Sequence, residues 1–455
     1  MNLRIRTLAA ALFLSAVGSA VMADDWPQWM GPNRDDVWHE TGILDTFPAN
    51  GPKELWRAAI GGGYAGPAVA GGKVYVTDRK LKEGVTPPAN AFARTATQGT
   101  EEVLCFDAST GKPLWKHEYD CPYTISYQAG PRCTPTVEGG KVYSLGAQGD
   151  LYCLDAEKGS VIWSKNFPKD CGAVVPMWGF AGHPLVYKNL LICLVGGKDG
   201  VAVAFDKNTG KEVWKALHAK EPGYCPPTLI EAGGVKQLVI WHSEAINGLN
   251  PETGAVYWTF PIKPNSGMSI MAPRQSGDFL YAGGNGGAQI VLKLASDKPD
   301  ATLVWQQAAV AMGMKAGAKG IAPINMTPFA DDGVLYGVDQ TGMMRAFKVA
   351  TGDRLWWSFK PVLGKDEEES YNRAAVGTAF IVKNGDRYFL FADNADLIIA
   401  KLTPKGYEEI SRAKLKLDLT HNAFGRNVVW SHPAFADKCV FARNDKEIVC
   451  YSLAK

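Results

Sequence analysis

The side chains with the most chemistry to offer in this sequence stand beside a recurring marker, a proline or small residue that opens a short apolar strand. Seven polar residues lie within a few positions of such a marker: Arg132, Thr134, His183, Arg274, Asn325, Arg373 and His432. If the markers share one level of an interior funnel, these donors converge on a small volume that suits an anion or a polyol. The same groups could instead bond backbone carbonyls and water, as most buried polar groups do.

Metal-ligating residues form no recognisable site in the sequence. No Cys and His spacing resembles a zinc site, and the consecutive acids of residues 366–369 lack the alternation of a calcium loop. Asp339 and Asp393 stand as isolated acids. We therefore predict no metal site and assign no catalytic residue. His242, Glu244 and His421 remain possible ligands, although nothing in the sequence brings them together.

The nine cysteines leave the disulfide pattern open. Cys439 and Cys450 flank a hairpin, and with Asn444 and Asp445 as its turn they would face each other across the strands. Buried, unpaired thiols are the simpler expectation.

Charge and the N-terminal residues indicate where the protein works. With 48 Lys+Arg and 46 Asp+Glu the net charge is 48 − 46 = +2, which argues against a nucleic-acid binder. Arg4 and Arg6, the apolar run 8–21 and Ala23 predict a signal peptide over residues 1–23. We expect a periplasmic or secreted protein without a transmembrane segment. We also expect no lipid anchor, because the first cysteine is Cys105 and none lies next to the apolar run.

One repeated pattern organises the chain: an apolar strand, an Asp or Asn, a polar turn that ends in Gly, and a Trp four residues later. The Trp of this pattern, or its equivalent, recurs at Trp56, Trp115, Trp163, Trp214, Trp258, Trp305 and Trp356. Short β-runs repeating every 44 to 51 residues are typical of propeller blades. In such a fold a large indole can pack between neighbouring blades.

The proline marker gives the number of blades. It occurs at Pro67, Pro135, Pro184, Pro227, Pro273, Pro328, Thr378 and Pro433, which defines eight units. The last unit supplies three strands, whereas residues 54–57 form an orphan strand at the other end of the ring. We predict an all-β, eight-bladed β-propeller with four antiparallel strands per blade, in which the N-terminal strand completes the C-terminal blade. Residues 24–50 would form an N-terminal extension and residues 51–455 the propeller.

The longer connections, residues 79–102, 306–324 and 360–373, are expected on one face of the propeller, where ligands bind by default. Trp26, Trp29 and Trp38 precede the ring; they could stack on a sugar or a partner peptide, and we expect them to cover an end of the propeller.

The turn that begins at Asp107, continues as Ala-Ser-Thr-Gly-Lys and reaches Trp115 resembles the pyrroloquinoline quinone (PQQ) repeat. The resemblance spans roughly residues 51–455 and implies one of two branches. The quinoprotein alcohol and sugar dehydrogenases bind PQQ and calcium beside an adjacent cysteine pair, whereas cofactor-free propellers include the periplasmic scaffold of the outer-membrane β-barrel assembly machine. The opening residues 25–34 also resemble exported bacterial PQQ-like propellers.

Departures from the dehydrogenase pattern favour the second branch. Neither an adjacent cysteine pair nor the haem motif Cys-x-x-Cys-His occurs in this sequence. We therefore expect an exported, non-catalytic and monomeric binding propeller without a cofactor. Its partner would be a protein, a small polar or anionic ligand, or a glycan. The alternatives are a PQQ- and calcium-dependent alcohol or sugar dehydrogenase, and a carbohydrate-binding or carbohydrate-processing propeller.

Overall fold

The structure, a computed structural model, describes residues 24–197, 200–310, 319–366 and 374–455. The predicted signal peptide, Arg373 and all but the first residue of the acidic run 366–369 lie outside these residues. The first strand of the ring begins at Lys53 and the last ends at Ser452. The division of the chain after residues 23 and 50 stays a prediction.

Eight four-stranded antiparallel sheets surround a central channel, which confirms the predicted propeller. We number the blades in chain order and give their strands from the channel outward. Blades 1 to 4 consist of Ala68–Ala70, Lys73–Leu81, Gly99–Asp107 and Pro113–Asp120; Thr136–Glu138, Lys141–Leu145, Asp150–Asp155 and Val161–Asn166; Leu185–Tyr187, Leu190–Gly197, Gly200–Asp206 and Glu212–Ala216; Thr228–Ala232, Val235–Trp241, Ala245–Leu249 and Val256–Pro261. Blades 5 to 8 consist of Arg274–Ser276, Phe279–Gly284, Ala288–Leu294 and Ala301–Gln307; Phe329–Asp331, Val334–Val338, Met344–Lys348 and Arg354–Ser358; Ala379–Asn384, Arg387–Ala392, Asp396–Thr403 and Gly406–Lys414; Ala434–Ala436, Cys439–Arg443, Glu447–Ser452 and Lys53–Ala59.

A few short elements lie outside the blades. A two-stranded ribbon, His421–Ala423 with Arg426–Val428, stands between blades 7 and 8. The helical segments are Phe167–Cys171, Lys360–Leu363, Asn265–Gly267 and Asn285–Gly287. In the part of the chain that is described, every helix is too short to cross a bilayer.

The N-terminal strand closes the ring as predicted. Lys53–Ala59 pairs antiparallel with Glu447–Ser452, and Trp56 lies opposite Cys450. The first and the last strand of the propeller therefore pair with each other in one blade, and neither is left without a hydrogen-bonded neighbour.

The hairpin of blade 8 differs from the predicted register. Cys439 lies opposite Ser452 and Cys450 opposite Phe441, so the expectation that the two cysteines lie directly opposite each other is wrong. Their side chains are in contact diagonally across the two strands. The loop is wider than a two-residue turn because the Asn444 side-chain oxygen accepts the N–H groups of Lys446 and Glu447, at 2.8 and 2.9 Å. All nine cysteines are free thiols in the structure.

Neighbouring blades are joined by the repeated tryptophans. The Nε1–H of Trp163 in blade 2 donates to the carbonyl of Lys207 in the turn of blade 3, at 3.1 Å. Gly210 ends that turn with φ +69°, and an added Cβ would lie 2.7 Å from the Trp163 ring. The glycine therefore provides both the backbone conformation and the space that the indole needs. The same arrangement joins Trp56 to Gly111, Trp115 to Gly159, Trp214 to Gly254 and Trp305 to Gly352.

Trp258 and Trp356 depart from this pattern. Trp356 donates to the Thr403 carbonyl of blade 7 at 2.8 Å, but an added Cβ at Gly406 would meet nothing within 4 Å. The copy of the turn in blade 5 has no Gly, and the Trp258 N–H instead donates to Gln237 Oε1 of its own blade, at 2.8 Å.

The extension closes one end of the channel. Trp26 bridges Val69 of the blade 1 inner strand, and Val37 bridges Lys383 of blade 7. The Glu40 carboxylate accepts the N–H of Lys438, in the first turn of blade 8, at 2.8 Å. The extension thus crosses the face that carries the short turns between first and second strands, and the longer loops lie on the opposite face.

Candidate functional site

The channel opens on the loop-rich face as a cup of about 1060 Å³. Five of the seven predicted site residues line it: Arg132, Thr134, His183, Asn325 and His432. Arg274 is not among the lining residues, and Arg373 lies outside the described residues.

One position of the repeat contributes a residue to the wall of the cup in every blade. The residue three positions before each marker lines the cup in all eight blades: Tyr64, Arg132, Ala181, Tyr224, Ile270, Asn325, Ala375 and Trp430. We call these residues the wall column. The sequence analysis identified only Arg132 and Asn325, although alignment of the units on the marker would have given the others.

Trp29 of the extension forms the floor of the cup. Its ring stacks on His183 with centroids 4.7 Å apart and meets the edge of His432 at 6.5 Å. His432 is held from both ring nitrogens, since Nε2 lies 3.2 Å from the Asp36 carboxylate and Nδ1 lies 2.9 Å from the Pro433 carbonyl. The floor is therefore fixed by stacking and by a buried acid–histidine contact.

His183 is neutral in this position. Its Nδ1 accepts the backbone N–H of Thr134 at 3.0 Å, which places the proton on Nε2. Burial holds the pKa of His183 well below its ordinary value, and the charges of Arg34 and His432 lower it further.

Two arginines at the closed end bond to carbonyls of the protein itself. Arg34 donates to the carbonyl oxygens of Pro184 and Pro227 in the channel wall. Arg274 donates to the carbonyls of Arg34 and Asp35, at 3.2 and 3.3 Å. Both guanidinium groups fasten the extension to the blades.

Arg132 is the one arginine or lysine among the described lining residues, and it is also engaged. Its guanidinium donates to the carbonyls of Gly130, Ser126 and Tyr127 and lies 5.0 Å from the centroid of Tyr64. The cup thus holds its cation in a network of neutral acceptors.

Most side chains of the lining, including several of the wall column, fall into two arcs. The first, which we call the aromatic arc, comes from loops of blades 8 and 1 to 4: Tyr64, Phe92, Tyr127, Trp178, Tyr224, Phe424 and Trp430. The second, which we call the amide arc, comes from blades 5 and 6: Asn265, Ser266, Asn285, Asn325, Thr327, Gln340 and Thr341. Met268, Ile270, Ile324 and Met326 lie between the polar groups of the amide arc.

Backbone conformations that side chains rarely adopt also occur in the lining. Tyr127, Ser266, Val376 and Phe424 have φ values of 55°, 54°, 58° and 50°. Such residues are uncommon, and a β-branched residue such as Val376 is an outlier in this region. Strain of this kind concentrates at binding and catalytic sites.

The acids and histidines that the sequence left open do not converge. Asp339 pairs with Arg345 at 2.6 Å, and both side chains are fully buried. Asp393 pairs with Arg426. His421 lies 3.4 Å from Asp445, and in the described chain no group of three or more His, Cys, Asp and Glu side chains could hold a metal ion.

The cup does not fit PQQ with calcium. Calcium takes carboxylate and carbonyl oxygens, and none of the described lining residues is Asp or Glu. PQQ is itself a polycarboxylate, and the lining offers it one arginine, Arg132, which already donates to three carbonyls.

Similar proteins come from both branches of the repeat family. Outer membrane protein assembly factor BamB of Shewanella oneidensis is 24% identical over 232 residues, covering 50% of this chain and 56% of that protein. The dehydrogenase subunit of the quinone alcohol dehydrogenase of Komagataeibacter europaeus is 32% identical over 139 residues, 28% of this chain and 18% of that protein. The matched part is therefore less than two thirds of either relative.

Solved structures show the shared fold. The quinohemoprotein alcohol dehydrogenase of Comamonas testosteroni has a TM-score of 0.58 and 14% identity, covering 94% of this chain and 80% of that one.

The family model described as outer membrane protein assembly factor BamB matches residues 40–123, 99–287 and 242–455. These segments together run from residue 40 to the last residue, and they include every blade. The chain therefore belongs to the BamB family of PQQ-repeat propellers.

Proposed function

We propose that this protein is a non-catalytic binding propeller of the cell envelope and that the cup is its binding site. The observation that carries this proposal is the wall column, through which every blade contributes a side chain to one cavity. The single lining arginine is engaged, and the described lining contains no carboxylate. Such a cavity suits recognition. Its two histidines, His183 and His432, are held by the Thr134 N–H and by Asp36 and the Pro433 carbonyl.

The envelope location belongs to the same proposal. Residues 1–23 would direct export, and the family description refers to an outer-membrane process. The protein would act as a monomer after cleavage near Ala23.

A variant that fills the cup tests this function. Ala375 lines the cup, and Ala375→Trp would place an indole inside it. Ala350→Trp is the matched control, because Ala350 is also half-buried but lies in a short turn of blade 6. Each form of residues 24–455 is incubated with an envelope extract, and bound proteins and small molecules are identified by mass spectrometry. We expect one set of molecules that wild type and the control retain and that Ala375→Trp loses; identical sets for all three forms would overturn the proposal.

A second candidate is an assembly scaffold, which the family description and an apolar rim favour. Phe92, Phe424, Val174 and Met177 are 48%, 60%, 77% and 42% exposed on the aromatic side of the mouth. Exposed apolar groups gathered in one region mark protein contacts. Under this function Phe424→Ser with Met177→Ser would lose outer-membrane assembly components, whereas Ala375→Trp would keep them.

The dehydrogenase alternative is tested directly by activity. Residues 24–455 with PQQ and Ca²⁺ are assayed with an artificial electron acceptor on alcohols and aldoses. We expect no turnover above that of PQQ alone. Turnover that Ala375→Trp abolishes would replace the non-catalytic proposal.

A further inference from the structure

The chemistry of the cup narrows the class of ligand, if the cup is the binding site proposed above. An anion and a polyol both suit polar groups that converge on one volume. The described lining holds one cation for an anionic ligand, Arg132, and three of its five N–H donors already go to backbone carbonyls. It holds no carboxylate for a cationic ligand, which would have the aromatic faces alone. An uncharged ligand therefore fits the lining best.

The amide arc offers donors and acceptors in pairs. Asn and Gln side chains each carry a carbonyl oxygen and an NH₂ group, so that one side chain can both accept from and donate to a hydroxyl. The Nδ2 group of Asn325 is buried and has no hydrogen-bond partner in the protein. A buried donor without a partner costs free energy, and a ligand acceptor at this point would remove that cost.

The aromatic arc offers flat apolar surfaces on the opposite side. Tyr127 lies 5.1 Å from Phe92 and 6.0 Å from Trp430 between ring centroids, and Trp178 lies 5.7 Å from Tyr224. These contiguous rings suit a ligand with an apolar face, because rings gain free energy from covering apolar area.

We propose that the cup binds an uncharged oligosaccharide, with the C–H faces of its sugar rings on the aromatic arc and its hydroxyl groups toward the amide arc. A sugar ring combines an apolar face with a rim of hydroxyls, which matches the division of the lining. The volume of about 1060 Å³ is at the upper end of small-molecule pockets and suits several linked rings.

A polypeptide fits the same cup less well. Extended peptides commonly bind by adding a strand to an open sheet edge. On three of the eight blades the extension already pairs with the inner strand, since Trp26 bridges Val69, Val37 bridges Lys383 and the Val137 N–H donates to Pro27.

Binding of defined oligosaccharides tests this proposal. The probes are cellotriose, maltotriose, laminaritriose and chitotriose, with trigalacturonic acid as the anionic comparison and a capped Phe-Asn-Tyr-Asn-Phe peptide as the polypeptide comparison. Binding is followed by calorimetry and by the fluorescence of the tryptophans, of which Trp29, Trp178 and Trp430 line the cup. We expect at least one neutral trisaccharide to bind, and more tightly than the acid or the peptide.

Variants connect binding to the two arcs. Asn325→Ala and Trp178→Ala should each weaken binding by about tenfold or more, which corresponds to the loss of one good contact. Trp357→Ala is the matched control, because Trp357 is 40% exposed on the outer strand of blade 6 and should bind as wild type does.

The outcomes separate this inference from the proposed function. Failure of all four neutral sugars at millimolar concentration, or equal binding by Trp178→Ala and wild type, would overturn the oligosaccharide proposal. Binding of the peptide alone would do the same but would leave the cup as a binding site. Dehydrogenase turnover would overturn the non-catalytic function itself.

Discussion

Two columns of the same repeat have opposite characters. The tryptophan column is nearly uniform, with Trp in seven blades and Ile410 in blade 7. The wall column contains tyrosine, arginine, alanine, isoleucine, asparagine and tryptophan. In most blades the tryptophan packs against the glycine turn of the next blade. Because these surroundings are the same from blade to blade, the same residue is needed at this position. The wall column faces a shared cavity, where each blade can contribute something different. Stability and recognition are therefore carried by different positions of one repeating unit.

The largest effect should come from the tryptophan that closes the ring. Trp56 is 7% exposed, lies 5.9 Å from Phe441 and donates to the Ala108 carbonyl of blade 1 at 2.8 Å. Trp56→Ala should lower the free energy of unfolding by about 3–5 kcal/mol in urea denaturation. The exposed Trp357 provides the control, and Trp357→Ala should cost less than about 1 kcal/mol. Equal losses would show that the interblade contact is not what holds the ring.

Two glycines separate backbone strain from the tryptophan contact. Gly210 and Gly140 have φ values of +69° and +73°, but an added Cβ meets the Trp163 ring at Gly210 and nothing within 4 Å at Gly140. Gly140→Ala should lower the free energy of unfolding by about 1 kcal/mol, and Gly210→Ala by about 2–4 kcal/mol because overpacking adds to the strain. Thermal and urea unfolding measure both. Similar values would mean that the tryptophan moves aside freely.

The wall column should tolerate change without loss of stability. Asn325→Ala removes a buried donor that has no partner in the protein and whose burial costs free energy, so the free energy of unfolding should stay unchanged or rise. Calorimetric unfolding of Asn325→Ala and of Trp56→Ala, measured side by side, compares their effects on stability. A loss comparable to that of Trp56→Ala would contradict the separation of the two roles.

The smallest effect is expected at Asp78, a buried acid in the strand Lys73–Leu81 of blade 1. Asp78 is fully buried, and burial together with the charge of Glu102 raises the pKa of Asp78 to about 6. The folded protein then holds this proton more tightly than the unfolded chain, whose aspartates titrate near about 4. The contribution of Asp78 to stability therefore falls as pH rises between about 4 and about 6 and is constant above that range. Wild type should lose stability relative to Asp78→Asn over this interval, as followed by urea unfolding.

Asp107 supplies the control for this titration. Hydrogen bonds from Ser109 and Thr110 lower the pKa of Asp107, so its contribution is complete above its unfolded pKa of about 4 and is lost only in more acidic solution. Asp107→Asn should differ from wild type by a constant amount between about pH 4 and pH 7. A slope equal to that of Asp78→Asn would indicate a general charge effect.

The architecture was predictable because it depends on repeated local signals. Asp107, Gly111 and Trp115 recur as a set, and the count of proline markers gave eight blades together with the strand that closes them. The register of the blade 8 hairpin was missed because it depends on hydrogen bonds of the Asn444 side chain, which widen the loop.

The site was predictable only in part. Positions such as Arg132 and Asn325 follow from the marker, whereas the aromatic arc depends on where irregular loops fold back, as Phe92 does. Arg34 and Arg274 show the limit most clearly. The sequence suggested that Arg274 binds a ligand, whereas its guanidinium donates to carbonyls of the extension, and Arg34 of the extension donates to carbonyls of the blades. No local sequence pattern predicts these contacts.

The path of the extension also determines in which orientation the propeller can be attached to a surface. Asp25 accepts the N–H of Gly71 in a short turn of blade 1, and the Lys455 N–H donates to Gly42. Residue 24 and Lys455 therefore both lie on the face of the propeller opposite the mouth of the cup. A tether or a solid support fixed at either position would leave the mouth pointing away from the surface, free to meet whatever diffuses past.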